Sequence, residues 1–203
     1  YFPWEDWRLG KPEILTKEIE PKLKEWAMRK PPDDAPARPL RRAERLKVCF
    51  GDGASFDEEK VLERYELLYE AGLVAEAARD GRSAAKQWDH VPELGRPMEF
   101  DHRRILATAM GRLRGKLKYR PVVFELLPPE FTLYDLQQTV EAISGTLLHK
   151  QNFRRLVEQG GLVEPTGNVS TATGGRPARL YRFRREVVLE RPAPGLRVKA
   201  GRL

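Results

Sequence analysis

A single cysteine, Cys49, leaves the 203 residues without a partner for an intramolecular disulfide. The fold must then be held by its core and its hydrogen bonds, as in proteins of a reducing cytosol. Cys49 itself lies in LKVCF and reads as a small buried side chain. No apolar run approaches the roughly 18 residues that a membrane-spanning helix needs, so no membrane partner is expected. No stretch has a signal peptide's order of charged, apolar and small residues. The three histidines, His90, His102 and His149, are too scattered for a metal site, which calls for closely spaced ligands. A glycine-rich phosphate loop is missing as well, and no serine or cysteine carries a nucleophile signature. These absences leave no catalytic residue, metal or cofactor to nominate on such grounds.

What the chain does have is charge, unevenly placed. The net charge of +7 hides two different halves. Residues 1–100 hold 18 Lys and Arg against 21 Asp and Glu, and residues 101–203 hold 19 against 9. The basic excess thus belongs to the second half, the footprint of a nucleic-acid module joined to another part.

The most informative stretch lies in that half. His149–Gly161, HKQNFRRLVEQGG, reads as a short helix closed by Gly160-Gly161. Phe153, Leu156 and Val157 share one face, and Lys150, Gln151, Arg154, Arg155 and Glu158 share the other. Arg, Lys, Gln and Asn are the side chains that reach phosphates and base edges in a major groove. Upstream, Phe131–Gly145 reads as a second helix with Leu133, Leu136, Val140 and Ile143 inward. Thr132 is its expected N-cap, with Asp135 completing a near capping box. Helix, short glycine-containing turn and basic helix make a helix-turn-helix. Beyond it, Leu162–Glu164 is a strand candidate, Asn168–Gly175 a Ser/Thr/Gly-rich loop, and Arg176–Arg184 a return strand. Two strands around a loop form a wing, with Arg176 at its tip and Arg179 just behind. The fold class is therefore mainly α with a small β wing (α+β), a winged helix-turn-helix preceded by a helical region. Double-stranded DNA is its natural partner, and a winged helix used for protein contacts is the alternative.

The remaining elements follow from periodicity and breakers. Tyr1–Arg8, YFPWEDWR, is dense in aromatics, which suggests packing on a partner subunit or another domain. Lys11–Lys30 predicts one or two helices, with Pro21 starting or kinking one. Pro31–Pro39 reads as a linker, and Leu46–Phe50 as a short apolar segment before a turn. Ser55, with Glu58, is expected to cap a helix that runs to about Arg79 with a break at Gly72. Asp80–Gly95 is loop-like. Asp101 caps a long helix whose buried face should be Ile105, Leu106, Ala109, Leu113 and Leu117, leaving its arginines and lysines outside. The cluster from Arg112 to Arg120 is then available to the DNA backbone. Arg185–Leu189 is expected to extend the second strand, and the segment from Glu190 onward to be a tail. The expected domains are a helical region at 1–100, the winged helix at 101–191 and a tail at 192–203.

In the Nudix box, glutamates on one helix face bind magnesium for diphosphate cleavage. At the spacing of that box the chain has Gly51, Asp57, Tyr65, Glu66, Leu67, Tyr69, Glu70, Gly72 and Leu73. Tyrosines stand where the arginine and one metal-binding glutamate should be, so a competent hydrolase site is not expected. A hydrolase remnant acting on ADP-ribose-like nucleotides is the alternative reading.

Longer motifs carry a resemblance. FDHRRIL (100–106), GRLRGKLKYRPVVFELLPPEFTLYDLQ (111–137), LHKQNFRRLVEQGGLVEPTG (148–167) and GRPARLYRF (175–183), with RYELLYEAGLV (64–74), cover about residues 50–195. They resemble the C-terminal part of the Nudix-related, NrtR-like transcriptional regulators, most closely the NadQ branch that controls NAD biosynthesis in Alphaproteobacteria. The resemblance implies a transcriptional regulator, expected to be a repressor, that binds operator DNA as a homodimer in the cytoplasm, at the nucleoid. It further implies a nucleotide effector, an adenine nucleotide or NAD-related compound, sensed by a Nudix-like domain lying outside these residues or represented only by its end. It assigns DNA reading to Lys150, Gln151, Asn152, Arg154, Arg155 and the wing residue Arg176.

Overall fold

The computed structural model describes residues 1–31, 38–51, 57–171 and 177–196. They divide into two units, Tyr1–Gly111 and Arg112–Leu203. Helices dominate both, and the described strands form one two-stranded antiparallel sheet in the second unit, as the sequence pattern predicts.

In the first unit a π-helical turn, Leu15–Ile19, leads into α1, Glu20–Met28. Pro21 sits in the first turn of α1, where its missing N–H is no loss. Helix α2, Arg42–Phe50, absorbs the apolar segment Leu46–Phe50, and Glu44 Oε2 accepts the Arg41 N–H at its start (2.7 Å). Helices α3, Val61–Glu70, and α4, Ala75–Arg79, replace the longer helix expected from the sequence. The expected cap Ser55 lies outside the described residues, and α3 begins after Lys60. The break falls at Gly72, where φ is +75° and a Cβ would come within 2.3 Å of the Ala85 backbone nitrogen. Only glycine fits there. A 3-10 turn, Ser83–Gln87, occupies part of the stretch read as loop.

Two expectations fail, one in this unit and one along a helix that runs past its end. The N-terminal aromatics do not wait for a partner: Phe2 and Trp4 are buried in the unit's own core, with Leu15, Ile19, Leu23, Trp26 and Tyr65. Glu5 follows them inside and forms a two-bonded ion pair with the fully buried Arg64, at 2.5 and 2.7 Å. The second failure concerns α5, His102–Leu117. Ile105 is 62% exposed and Ala109 also faces solvent, whereas Arg103, Ala107, Arg114 and Leu117 are buried. The helix is rotated from the expected orientation because its arginines find partners inside. Arg103 meets the buried carboxylate of Glu76, and Arg114 Nε donates to the Ile143 carbonyl at 2.8 Å. A buried guanidinium is tolerated when its charge is paired, as Arg103 is by Glu76, or its N–H groups are hydrogen-bonded, as Arg114 Nε is; Arg103 Nε itself stays without a partner among the described residues.

The second unit is built on Leu117, Val123, Phe131, Leu136, Val140, Phe153 and Val157. After a 3-10 turn at Val122–Leu126 come α6, Leu133–Ser144, and α7, Lys150–Gly160. Strand β1, Val163–Ser170, is longer than expected, and pairs with β2, Ala178–Phe183. Val163 faces Phe183 and Val169 faces Arg179, with the register broken between Pro165 and Val169, where Gly167 has φ +87°. The sheet is tied back to the start of α6, since Phe131 and Tyr181 exchange both backbone hydrogen bonds, at 3.0 and 2.8 Å. Phe124 stacks on Phe183 with ring centroids 4.4 Å apart. The residues expected to extend β2 instead form a short helix, α8, at Val187–Glu190, and Val187 is buried in the core. Leu196 is buried too, its N–H donating to the Leu117 carbonyl at 2.7 Å. Among the described residues no helix is long and apolar enough to cross a membrane.

Candidate nucleic-acid interface

Helix α6 starts at the cap that the sequence nominates. Thr132 Oγ1 accepts from Asp135 N at 3.1 Å, and Asp135 Oδ2 accepts from Thr132 N at 2.9 Å. Each satisfies a helix-start N–H that would otherwise lack a partner. The helix ends at Gly145 in the left-handed conformation, with φ 74° and ψ 15°. Four residues later His149 is the N-cap of α7, and Gly161, also left-handed, closes that helix. Helix, left-handed glycine and second helix give the helix-turn-helix of the sequence reading.

Helix α7 is two-faced. Phe153 and Val157 are 1% and 0% exposed and anchor it to the core. Lys150, Gln151, Asn152, Arg154 and Arg155 are all exposed. At about 100° per residue, Arg155 and Gln151 point most directly away from the anchored side. Lys150 and Arg154 make a second row on one shoulder, and Asn152 lies on the other. Glu158 and Gln159 continue the outer face. Among the described residues, no hydrogen bond or ion pair engages the side chains of Lys150, Gln151, Asn152, Arg154 or Arg155. Their polar ends are therefore free to bind a ligand without first breaking an internal contact.

On the sheet, Arg179 is exposed on β2 opposite Val169, itself 59% exposed. Arg182 is also outward, but Glu164 Oε1 holds its Nε at 2.6 Å. Asn168 Nδ2 contacts both carboxylate oxygens of Glu130 at 3.1 Å, fixing β1 beside the approach to α6. Arg176 lies outside the described residues. The cluster expected along the end of α5 divides: Arg112, Lys116 and Arg120 are exposed, whereas Arg114 is buried.

Several side chains that set this geometry escape a sequence reading. Gln137, Glu141, Ser144 and Thr146 are each no more than 9% exposed and line the turn between α6 and α7. Glu141 Oε1 accepts from the Leu148 N–H and from Gln137 Nε2, both at 2.9 Å, and Gln137 Nε2 also donates to the Leu148 carbonyl at 3.0 Å. The available signal was spacing, because Gln137 and Glu141 follow Leu133 at intervals of four and so lie in the apolar stripe of α6. At the other end of α7, Arg184 Nη1 donates to the Gly161 carbonyl at 3.1 Å and Arg191 Nη1 to that of Gly160 at 2.7 Å. Cations there satisfy open carbonyls and oppose the negative end of the helix dipole.

The acidic helix weighed as a Nudix remnant is differently occupied. Glu66 is held by Arg104 Nε at 2.5 Å. Glu70 accepts two bonds from Arg45, at 3.0 and 2.7 Å, and Arg38 lies 3.7 Å away. Burial pushes the Glu70 carboxyl up, but the bonds and charge of Arg45, with Arg38 and Arg42, outweigh it and hold the group below the ordinary carboxylate range. Both carboxylates thus face guanidinium groups of this chain.

Residues 123–183 match the NrtR DNA-binding winged helix domain. The ADPR responsive transcriptional repressor NtrR of Acinetobacter baylyi is 44% identical over 86 residues, which make up 42% of this chain and 34% of that protein. The chain thus spans about a third of the length of this curated relative. The crystal structure of Shewanella oneidensis NrtR complexed with a 27mer DNA aligns over 47% of this chain and 43% of that one, at 36% identity and a TM-score of 0.41. A second crystal structure of Shewanella oneidensis NrtR aligns over 46% and 42%, at 36% identity and a TM-score of 0.39.

Proposed function

We propose, starting from a winged helix that matches the NrtR DNA-binding domain over residues 123–183, that this chain is the operator-binding part of a transcriptional repressor of NAD biosynthesis genes. The observation that carries the reading is the build of α7, whose Lys150, Gln151, Asn152, Arg154 and Arg155 stand exposed around a locked apolar face, with Gln151 and Arg155 opposite it. Such a helix enters the major groove. Arg155 and Gln151 read base edges, and Lys150 and Arg154 neutralise phosphates beside them. Asn152 contributes from the other shoulder, and Arg176 and Arg179 bring the wing to the flanking backbone.

The protein acts as a homodimer, the form that suits paired half-sites on duplex DNA; Phe2 and Trp4, buried in the first unit's own core, do not supply its interface. The curated relative is named as ADPR-responsive, and a nucleotide effector of that class, an adenine nucleotide or NAD-related compound, regulates this protein through a Nudix-like domain of the whole protein. The setting is the cytoplasm, at the nucleoid. The first unit does not hydrolyse diphosphates, because Glu66 and Glu70 are engaged by Arg104 and Arg45.

The test is a gel-shift titration against promoter fragments of NAD biosynthesis genes, with a scrambled duplex as control, at two salt concentrations. A retarded band at lower protein concentration on a promoter fragment, weakened by salt, supports the reading. Equal binding to all fragments refutes operator recognition. Sedimentation of the protein–duplex complex measures its stoichiometry, and a one-to-one complex on a full operator refutes the dimer.

A further inference from the structure

We infer that Gln137 and Glu141 are positioning residues for DNA discrimination: by holding both backbone polar groups of Leu148, they fix the direction in which α7 presents its reading face. The inference rests on the DNA-binding reading above. Leu148 immediately precedes the N-cap His149. Its N–H goes to Glu141 Oε1 at 2.9 Å, and its carbonyl accepts from Gln137 Nε2 at 3.0 Å. A further bond of 2.9 Å joins the two side chains. One turn apart on α6, they treat Leu148 as a neighbouring strand would, offering an acceptor to its N–H and a donor to its C=O. The Leu148 side chain meanwhile enters the apolar core. The residue that launches the reading helix is thus held from three directions, and the two side chains that hold its backbone are themselves buried.

Leverage makes this matter for discrimination. Arg155 lies about 8 Å along α7 from its start, so a tilt of about 10° at that start moves its backbone by about 1.3 Å. Base-edge hydrogen bonds fail over a smaller shift. Flexible lysine and arginine contacts to phosphates follow such a shift, because they act over several ångströms and many side-chain conformations. Loosening the pair should therefore damage the choice of sequence more than the general attraction to DNA. Apolar residues at 137 and 141 would fill the same space, but would leave the Leu148 N–H and C=O buried without partners.

The experiment uses the full chain. The parent protein selects a duplex from a randomised pool, and Gln137→Ala, Glu141→Ala and Glu141→Gln are titrated by fluorescence anisotropy against that duplex and a scrambled one. Circular dichroism melts give the folded fraction at the working temperature. The expected result is a loss of about tenfold or more on the selected duplex with Glu141→Ala and Gln137→Ala, the size of one lost base contact, and less than about twofold on the scrambled one. Glu141→Gln, which keeps an acceptor oxygen, recovers most of the preference. A folded Glu141→Ala variant with the parent's ratio of affinities overturns the inference. So does Glu141→Gln as damaged as Glu141→Ala, or a parallel fall on both duplexes. If Glu141→Ala does not fold, Gln137→Ala decides by the same ratio, since it leaves the bond from Leu148 N to Glu141 in place. A parent that enriches no duplex fails the DNA-binding reading itself, a separate result.

Discussion

Arg155→Ala is the sharpest perturbation of the reading head. Arg155 lies opposite the Phe153–Val157 side of α7, is exposed, and has no partner among the described residues. Truncating it should leave the melting temperature unchanged, since exposed substitutions without contacts stay within about 0.5 kcal/mol. Its loss on DNA should be far larger. An arginine that donates two bonds to a guanine edge discriminates by about 1–3 kcal/mol, so affinity for a selected duplex should fall about 5- to 150-fold. Affinity for a scrambled duplex should fall by only the share of one positive charge, and preference should relax at one operator position. Arg154→Ala is the internal control from the shoulder row. It should weaken all duplexes alike and reduce the slope of log K against log salt by about 0.9, the value for one phosphate contact. Anisotropy titrations on both duplexes at two salt concentrations read the affinities and the salt slopes, and duplexes changed at single positions read the relaxed preference. Two variants that weaken both duplexes equally would refute the assignment of rows. An Arg155→Ala protein that binds both as the parent does would refute α7 as the reading head.

Three further outcomes are expected. With ADP-ribose and magnesium the chain should release product no faster than buffer, because Glu66 and Glu70 face arginines; turnover that falls in Glu66→Gln or Glu70→Gln would overturn this. The Glu70 carboxyl is held below its ordinary value in the folded state, so its contribution is full above the unfolded carboxyl value, about 4.3, and is lost as pH falls through the folded one. Urea melts from pH 6 to about pH 3 should therefore fall less steeply for Glu70→Gln than for the parent, and equal slopes would contradict the assignment. Phe153→Ala empties a fully packed position and should cost about 3–5 kcal/mol, seen as a large drop in the melting temperature; a cost under about 1 kcal/mol would mean that α7 is not anchored there.

The second unit was largely legible because its signals are local. Thr132 with Asp135, Gly145 and Gly161 mark helix ends within a few residues, and Phe153 and Val157 mark the buried side of α7 by spacing alone. The errors came where the deciding partner lies far along the chain. Arg103 and Arg114 count as surface residues in any periodicity, which puts the wrong face of α5 inward; only Glu76 and the Ile143 carbonyl reveal that the guanidiniums are inside. Glu5 with Arg64 is the same case across 59 residues, and it draws Phe2 and Trp4 inward. Val187 and Val188 looked like strand, yet the burial of Val187 is served by a single helical turn. Gln137 and Glu141 are not legible from spacing alone, because a polar residue in an apolar stripe gains its meaning only from its hydrogen bonds.

The division of labour within α7 also bears on how related genomes diverge. Phe153 and Val157 are committed to the interior, while positions 150, 151, 154 and 155 carry no internal obligations among the described residues. A gene duplicate could exchange those four side chains one at a time and remain folded at every step, testing new promoters without passing through an unstable intermediate. The same freedom suits laboratory redesign. A library confined to these positions should yield soluble, correctly folded members at high frequency, so selection would act on operator choice instead of on survival of the fold.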